Sequence, residues 1–274
     1  MKQLMYQATE LWNQQVAGWP LAARFYSSLK EVKTREFVYD FTRILVQFNP
    51  ARIGSTAAKT DAASIAVRPC FLCAANRPAE QREVDAGDFL ILVNPFPIFP
   101  QHFTLPHKEH IPQQILPYYR DFLHFAAELT DCVVFYNGPE CGASAPDHLH
   151  FQAGNKEFLP LIADYHRWKD SRAILQKQIP GATLTQFSGA LRKILIIEAE
   201  TIDASVQLFE EVYAGLRTDL TKEPMMNVLC LSENEKWITF VLPRSAFRPT
   251  QYYASPDEQL LISPAAIEMA GVLI

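Results

Sequence analysis

The chain has 274 residues, 49% of them hydrophobic and 20% charged, with a net charge of −5. That length supports one large domain or two smaller ones around a sizeable core, and the composition excludes a disordered chain. The negative balance argues against a general nucleic-acid-binding surface and leaves room only for a local basic pocket. No apolar run reaches the roughly 18–20 residues that span a bilayer. The N-terminal segment Met1–Trp19 is amphipathic and lacks a signal-peptide pattern. Five cysteines, scattered apart from one close pair, predict a reducing, cytoplasmic setting with free or metal-bound thiols. Nineteen prolines and ten glycines favour many loops and mixed α/β content over a helical bundle.

Leu4, Ala8, Leu11 and Trp12 stand at helical spacing, and a second helix is predicted after Pro20, with Ala23, Phe25, Tyr26 and Leu29. Residues 36–48 are apolar and aromatic and read as a strand, and Asn49–Ser64 as a loop. Phe89–Val93 and Phe103–Leu105 read as strands joined by a proline-rich turn. Pro117 suits the first turn of a helix striped by Tyr119, Phe122, Leu123, Ala126 and Leu129. Val133–Tyr136 is a strand, a loop of small residues follows, and the segment from His148 closes the unit. Leu191–Ile197 reads as a further strand, Asp203 as the cap of a helix, and Met226–Leu231 and Trp237–Val241 as a hairpin. Helix–strand–strand thus recurs at 117–153 and 203–242. The apolar finish Met269–Ile274 predicts either an end docked in the core or a chain that continues.

The most informative run is Asp147-His-Leu-His-Phe-Gln152. On an extended strand His148, His150 and Gln152 share one face, roughly 6–7 Å apart in steps of two residues, and Leu149, Phe151 and Ala153 share the other. Two imidazoles and an amide on one face suit a metal site, a phosphorus-attacking histidine, or a pair of buried, hydrogen-bonded histidines. The preceding loop, Asn137-Gly-Pro-Glu-Cys-Gly-Ala-Ser-Ala-Pro-Asp147, is small enough for backbone N–H groups to approach a phosphate. Cys70-Phe-Leu-Cys73 follows Arg68-Pro69 and precedes Ala-Ala-Asn-Arg-Pro78, which suits a metal knuckle better than a redox pair at a helix start. Zinc needs about four ligands. His110 and His148 are the best candidates to complete the set, with His102 and His107 as alternatives for the third position. Cys132 and Cys230 read as core, and Cys141 has no evident activating partner.

These segments, in this order, resemble the histidine-triad superfamily, in its branch with a His-x-His-x-Gln strand. Galactose-1-phosphate uridylyltransferases, diadenosine tetraphosphate phosphorylases and GDP-hexose phosphorylases belong to that branch. The resemblance spans most of the chain. Residues 46–55 are similar to its nucleotide-side segment, 69–78 to the uridylyltransferase zinc knuckle, and Leu92-Val-Asn-Pro-Phe96 to the strand end that follows. Pro106-His-Lys-Glu-His110 resembles the segment that supplies a third zinc ligand. The end, Ile262–Gly271, and the phenylalanine of the histidine strand look more like the GDP-hexose phosphorylases, so the chain is a mosaic of two branches.

The resemblance implies an α+β, HIT-like fold of antiparallel sheet and helices in two tandem halves. Residues 1–165 would hold the knuckle and catalytic strand, and 166–274 would form a second half without the histidines. It implies a nucleotidyltransferase or phosphorylase acting on a nucleotide sugar through a nucleotidyl-histidine, with phosphate or a sugar phosphate as acceptor. A diadenosine polyphosphate phosphorylase or hydrolase, and a non-catalytic zinc-stapled nucleotide-binding protein, stay open. His150 would be the nucleophile and Gln152 would hold a phosphoryl oxygen. Cys70, Cys73, His110 and His148 would bind structural Zn2+. Asn137, Ser144, Arg52 and Asn94 would contact substrate. Apart from the resemblance, Arg244 and Arg248 in Leu-Pro-Arg-Ser-Ala-Phe-Arg are candidate substrate-binding anchors for a phosphate, or else solvated surface arginines. Ser144 lies four residues before His148, where the family serine stands three before. Nucleic acid and membrane are not expected as partners, and the chain would be a monomer or homodimer.

Overall fold

Apolar runs rich in valine, isoleucine, leucine and phenylalanine become strands here, and most of them pair into one sheet. The computed structural model describes residues 2–50, 62–187 and 191–274. Helices α1 (Gln3–Gly18) and α2 (Pro20–Ser28) lead, with Pro20 in the first turn of α2, where its missing N–H is not needed. The apolar run expected as one strand over 36–48 is a hairpin, β1 (Lys33–Tyr39) with β2 (Thr42–Phe48). Asp40, at φ 51°, turns the chain between them, a conformation its short polar side chain tolerates. After the short helix α3 (Ala62–Val67) come β3 (Glu83–Ala86), β4 (Phe89–Val93) and β5 (His102–Pro106). Pro117 lies in a 3-10 turn that leads into α4 (Tyr119–Glu128), followed by β6 (Cys132–Asn137) and β7 (His150–Asn155). Helix α5 (Pro160–Arg172) crosses to β8 (Ala173–Ile179), β9 (Ala182–Phe187), β10 (Leu195–Ala199), α6 (Ile202–Leu216), β11 (Met226–Glu233) and β12 (Lys236–Pro243). Thr201, not Asp203, caps α6, its hydroxyl accepting the Ala204 N–H. A short helix, α7 (Ala266–Met269), precedes β13 (Val272–Leu273), which runs parallel to β2 and buries Val272.

Ten strands form a single antiparallel sheet in the order β3-β4-β5-β7-β6-β11-β12-β10-β9-β8. Each half of that order has the same plan. Three consecutive strands are followed by a helix and two more strands, and the last strand inserts beside the third: 3-4-5-7-6, then 8-9-10-12-11. The helix–strand–strand recurrence in the sequence is therefore the latter part of a larger repeated unit. The halves join where β6 pairs with β11, Asn137 opposite Asn227 and Val134 opposite Cys230.

The sheet separates two cores. One face buries Phe151, Tyr136, Phe122 and Phe209 under α1, α4 and α6. The other buries Phe99, Phe135, Leu161 and Tyr165 together with Ile238, Phe240 and Leu242 of β12. His150 and Gln152 look toward this second face, since Gln152 pairs with Phe135 in register. In the other half the same side of β12 runs Lys236, Ile238, Phe240 and Leu242, so beyond the exposed Lys236 at the strand start its positions are filled with core rather than histidine and glutamine.

The sequence predicts that His148 lies on the strand with His150. Instead β7 begins at His150, and His148 sits in a bend held by its own N–H to the Ala145 carbonyl. Leu149 then anchors the strand entrance: its N–H donates to Ile111 O at 2.7 Å and its carbonyl accepts from His107 N at 2.9 Å. The bend frees His148 from the face it would otherwise share.

Candidate active site and metal centre

The knuckle forms because Cys73 N–H reaches back to Cys70 O, and Asn76 caps the same carbonyl from its side-chain amide at 2.9 Å. The bend before β7 brings His148 against it, and the segment after β5 brings His110. Ligand atoms of Cys70, Cys73, His110 and His148 all lie within 4.8 Å of one another. His148 Nδ1 is 3.3 Å from Cys70 Sγ and 3.5 Å from Cys73 Sγ, and His110 Nδ1 is 3.2 Å from Cys73 Sγ. A tetrahedral ion with two sulfur and two nitrogen ligands spans edges of about 3.5 Å, given bonds of about 2.0–2.3 Å. The four residues therefore fit a metal ion.

Their outer contacts suit the same purpose. His148 Nε2 lies 2.8 Å from His107 O, so it carries the hydrogen and leaves the Nδ1 lone pair facing the sulfurs. His110 Nε2 faces the Asp147 carboxylate at 3.4 Å, and Arg68 holds the other oxygen of that group. Burial resists ionisation of Cys70, but the adjoining His148 side chain and hydrogen bonds from the Leu72 and Cys73 backbone outweigh it and bring the thiol down to about 6.

His150 is placed by its own neighbours. Its Nδ1 lies 2.8 Å from His148 O, so Nδ1 holds the hydrogen and Nε2 keeps a lone pair. Burial pushes the ring's pKa down to about 4, against the contrary pull of that hydrogen bond, so the imidazole is neutral at pH 7. Gln113, 1% exposed, clamps the strand here. Its Oε1 accepts the His150 N–H at 2.8 Å, and its Nε2 donates to His150 O at 3.1 Å and Asn137 O at 3.0 Å. Sequence reasoning missed Gln113, because one glutamine in an irregular segment has no periodic or spacing signal.

The loop between β6 and β7 is braced by the second half of the chain. Asn137 Oδ1 accepts from Asn227 Nδ2 at 2.9 Å and from Ala266 N at 2.8 Å, which commits the amide oxygen and leaves the NH2 as the end that can donate elsewhere. Asn227 Nδ2 also donates to Cys141 O. Gly142, at φ 98°, passes so close to Ala265 that a Cβ would sit 2.6 Å from the alanine methyl. Ser144 is exposed on the loop, and its carbonyl accepts from Arg68. Arg244 is spent on architecture: Nη1 donates to Asn227 Oδ1 and Pro264 O, and Nη2 to Ala246 O and Phe247 O. Arg248 lies 4.1 Å from the centre of the Tyr252 ring with its Nε on Ser263 Oγ. Asn94 closes its own turn, accepting from Phe96 N and donating to Thr104 Oγ1. Arg52 lies outside the described residues. Cys132, Cys141 and Cys230 are buried.

Repeated strand order, two tandem halves and this histidine strand define an α+β protein of the HIT-like fold. The chain belongs to the family described as Domain of unknown function (DUF4922), whose model matches residues 11–155. Among solved structures, yeast Ap4A phosphorylase Apa2 aligns over 100% of this chain and 86% of that one, at 18% identity and a TM-score of 0.58. The same yeast enzyme in complex with Ap4A aligns over 92% of this chain and 87% of that one, at 19% identity and a TM-score of 0.58. A uridylyltransferase mutant aligns over 74% of this chain and 92% of that one, at 14% identity and a TM-score of 0.40. No curated protein matches the chain in sequence. Among the described residues, no helix is long and apolar enough to cross a membrane.

Proposed function

We propose that this protein transfers a nucleotidyl group through His150. The observation that carries the reading is the neutral His150 ring, its Nδ1 hydrogen committed to His148 O and its Nε2 free of any described partner, with Gln152 two residues along the same face. The Nε2 lone pair attacks the α-phosphorus of the donor, forming a P–N bond. The bond from phosphorus to the leaving oxygen breaks, and the leaving group departs with that electron pair. An oxygen of the acceptor then attacks the same phosphorus, the P–N bond breaks, and its electron pair returns to Nε2. Asn137 and Gln152 offer amide hydrogens to phosphoryl oxygens as charge develops. Ser144 stands on the loop as a further phosphate contact.

The donor is a nucleotide sugar and the acceptor is phosphate or a sugar phosphate. Likeness over the whole chain to a solved Ap4A phosphorylase favours a second reading, phosphorolysis of a dinucleoside polyphosphate by the same steps. Residues 1–165 form the half that carries this chemistry, and 166–274 the half that braces its loop. Cys70, Cys73, His110 and His148 would hold zinc, which with four protein ligands supplies rigidity to the start of the catalytic strand.

The test is a panel. UDP-glucose, GDP-glucose and diadenosine tetraphosphate are each incubated with the protein, with and without inorganic phosphate. Phosphate-dependent release of glucose 1-phosphate supports the sugar reading, and phosphate-dependent release of ADP from diadenosine tetraphosphate supports the second. Binding of any of the three without turnover, with galactose 1-phosphate as acceptor as well as with phosphate, leaves a zinc-stapled nucleotide-binding protein and defeats both.

A further inference from the structure

His102 enters the sequence only as an alternative metal ligand, but it lies on the opposite side of the site from the metal cluster. It begins β5, directly across from Gly154 of β7. Its Nδ1 accepts the Ile98 backbone N–H at 3.2 Å, so that nitrogen carries a lone pair and the hydrogen of the neutral ring is on Nε2. Nε2 lies 3.0 Å from Oε1 of Gln152. A ring that donates there must meet the oxygen end of the amide. The NH2 end of Gln152 is thereby turned away from His102, toward the His150 end of β7, and no described residue accepts from it.

Much of the surrounding structure serves to hold His102. The Tyr26 hydroxyl on α2 donates to its carbonyl at 3.1 Å and accepts its N–H at 3.2 Å. Phe99 packs edge-on against the ring, with centroids 5.2 Å apart, and Phe135 lies at 6.0 Å. Phe99 reaches that position only because residue 154 is glycine: a Cβ there would lie 2.3 Å from the Phe99 ring. A core histidine needs no such arrangement to satisfy two ring nitrogens.

We propose that His102 is a positioning residue that fixes the Gln152 amide with its NH2 presented to the phosphoryl group at His150. An amide left free to flip would spend part of its time offering an oxygen to an anionic phosphate, which repels. The inference deepens the nucleotidyl-transfer reading and rests on it for the identity of the anion, while the amide orientation itself can be measured separately.

Two readouts separate the two claims. In the protein as it stands, 15N spectra of the histidine rings at pH 7 should show His102 as the Nε2–H tautomer, bonded to Gln152. An Nδ1–H tautomer or an imidazolium at His102 overturns the inference whether or not the protein is active. Single-turnover labelling of His150, with UDP-glucose, GDP-glucose and diadenosine tetraphosphate labelled at the α-phosphate, supplies the second readout. His102→Phe should slow labelling roughly 10- to 100-fold, less than the roughly 100- to 1,000-fold cost of removing an oxyanion donor outright because the amide is misaligned and not lost, and leave nucleotide affinity within about threefold. In a Gln152→Ala background the same substitution should change the rate less than about twofold, because its target is gone. Equal losses in both backgrounds would make His102 merely structural and overturn the proposal. If wild type labels with none of the three donors, nucleotidyl transfer fails and the phosphoryl role of His102 fails with it, while the tautomer result still reports the amide's orientation.

Discussion

His150 Nδ1 lies 2.8 Å from the carbonyl oxygen of His148, so the backbone of one histidine sets which nitrogen of the other is free to react. The His148 side chain meanwhile faces two cysteine sulfurs at 3.3 and 3.5 Å. One residue thus joins the metal cluster with its ring and orients the nucleophile with its backbone. Anything that loosens the cluster should loosen the carbonyl to which His150 donates.

Metal removal tests that linkage. Purified protein should hold about one zinc per chain, and a Cys70→Ser, Cys73→Ser double variant should hold essentially none. Loss of the ion should lower unfolding free energy by about 3 kcal/mol or more, because binding to the folded state alone adds directly to stability. Metal analysis and urea unfolding check both. Full zinc content in the double variant would place the ion elsewhere.

Gln113 should matter to stability more than its position in an irregular segment suggests. Gln113→Ala strips partners from the His150 N–H, the His150 carbonyl and the Asn137 carbonyl, all buried. Each unsatisfied buried polar group costs about 1–3 kcal/mol, partly relieved if water enters, so a loss of about 2–4 kcal/mol is expected. Zinc content should not change. A loss under about 1 kcal/mol in urea unfolding would show that the clamp is dispensable.

Glu223 gives a pH signature. It receives the Tyr136 hydroxyl hydrogen and the Ile115 N–H, yet burial pushes its carboxyl up from 4.5 to about 7. The fold therefore prefers the protonated acid. Its contribution is full below about pH 4.5 and is lost as pH rises to about 7. At about 1.4 kcal/mol per pKa unit, that change is on the order of 3 kcal/mol. Glu223→Gln should remove this fall and raise the melting temperature at pH 8 relative to wild type. An unchanged pH dependence of melting would mean that Glu223 titrates normally.

How far the sequence foretold these features depends on which signals are local. Phe89–Val93 was legible because five consecutive apolar residues can be buried on both sides of a sheet, and all five are. Strand β8, reading Ala-Ile-Leu-Gln-Lys-Gln-Ile and largely exposed at the sheet edge, breaks its apolar run with Gln-Lys-Gln and gives no comparable signal. The turn at Asp40 depends on one residue's backbone conformation inside an unbroken apolar stretch. In the site, Cys70-x-x-Cys73 and the paired histidines are visible as motifs, and the fold brings Cys70, Cys73, His110 and His148 together. The bend at His148 is not visible, since a period of two argues for one continuous strand. Nor can spacing show that the Arg244 guanidinium is caged by Asn227 and three backbone carbonyls, because those partners come from distant segments.

The central claim concerns a covalent bond, and intact-mass spectrometry reads it directly. The protein is mixed with UDP-glucose, GDP-glucose or diadenosine tetraphosphate without phosphate, then quenched at alkaline pH. With one of these donors the chain should gain the mass of one nucleoside monophosphate residue. The adduct should be acid-labile, map to His150, and be absent from His150→Ala, which keeps its zinc. A donor that binds but leaves the mass unchanged, or an adduct that persists in His150→Ala, would contradict the account.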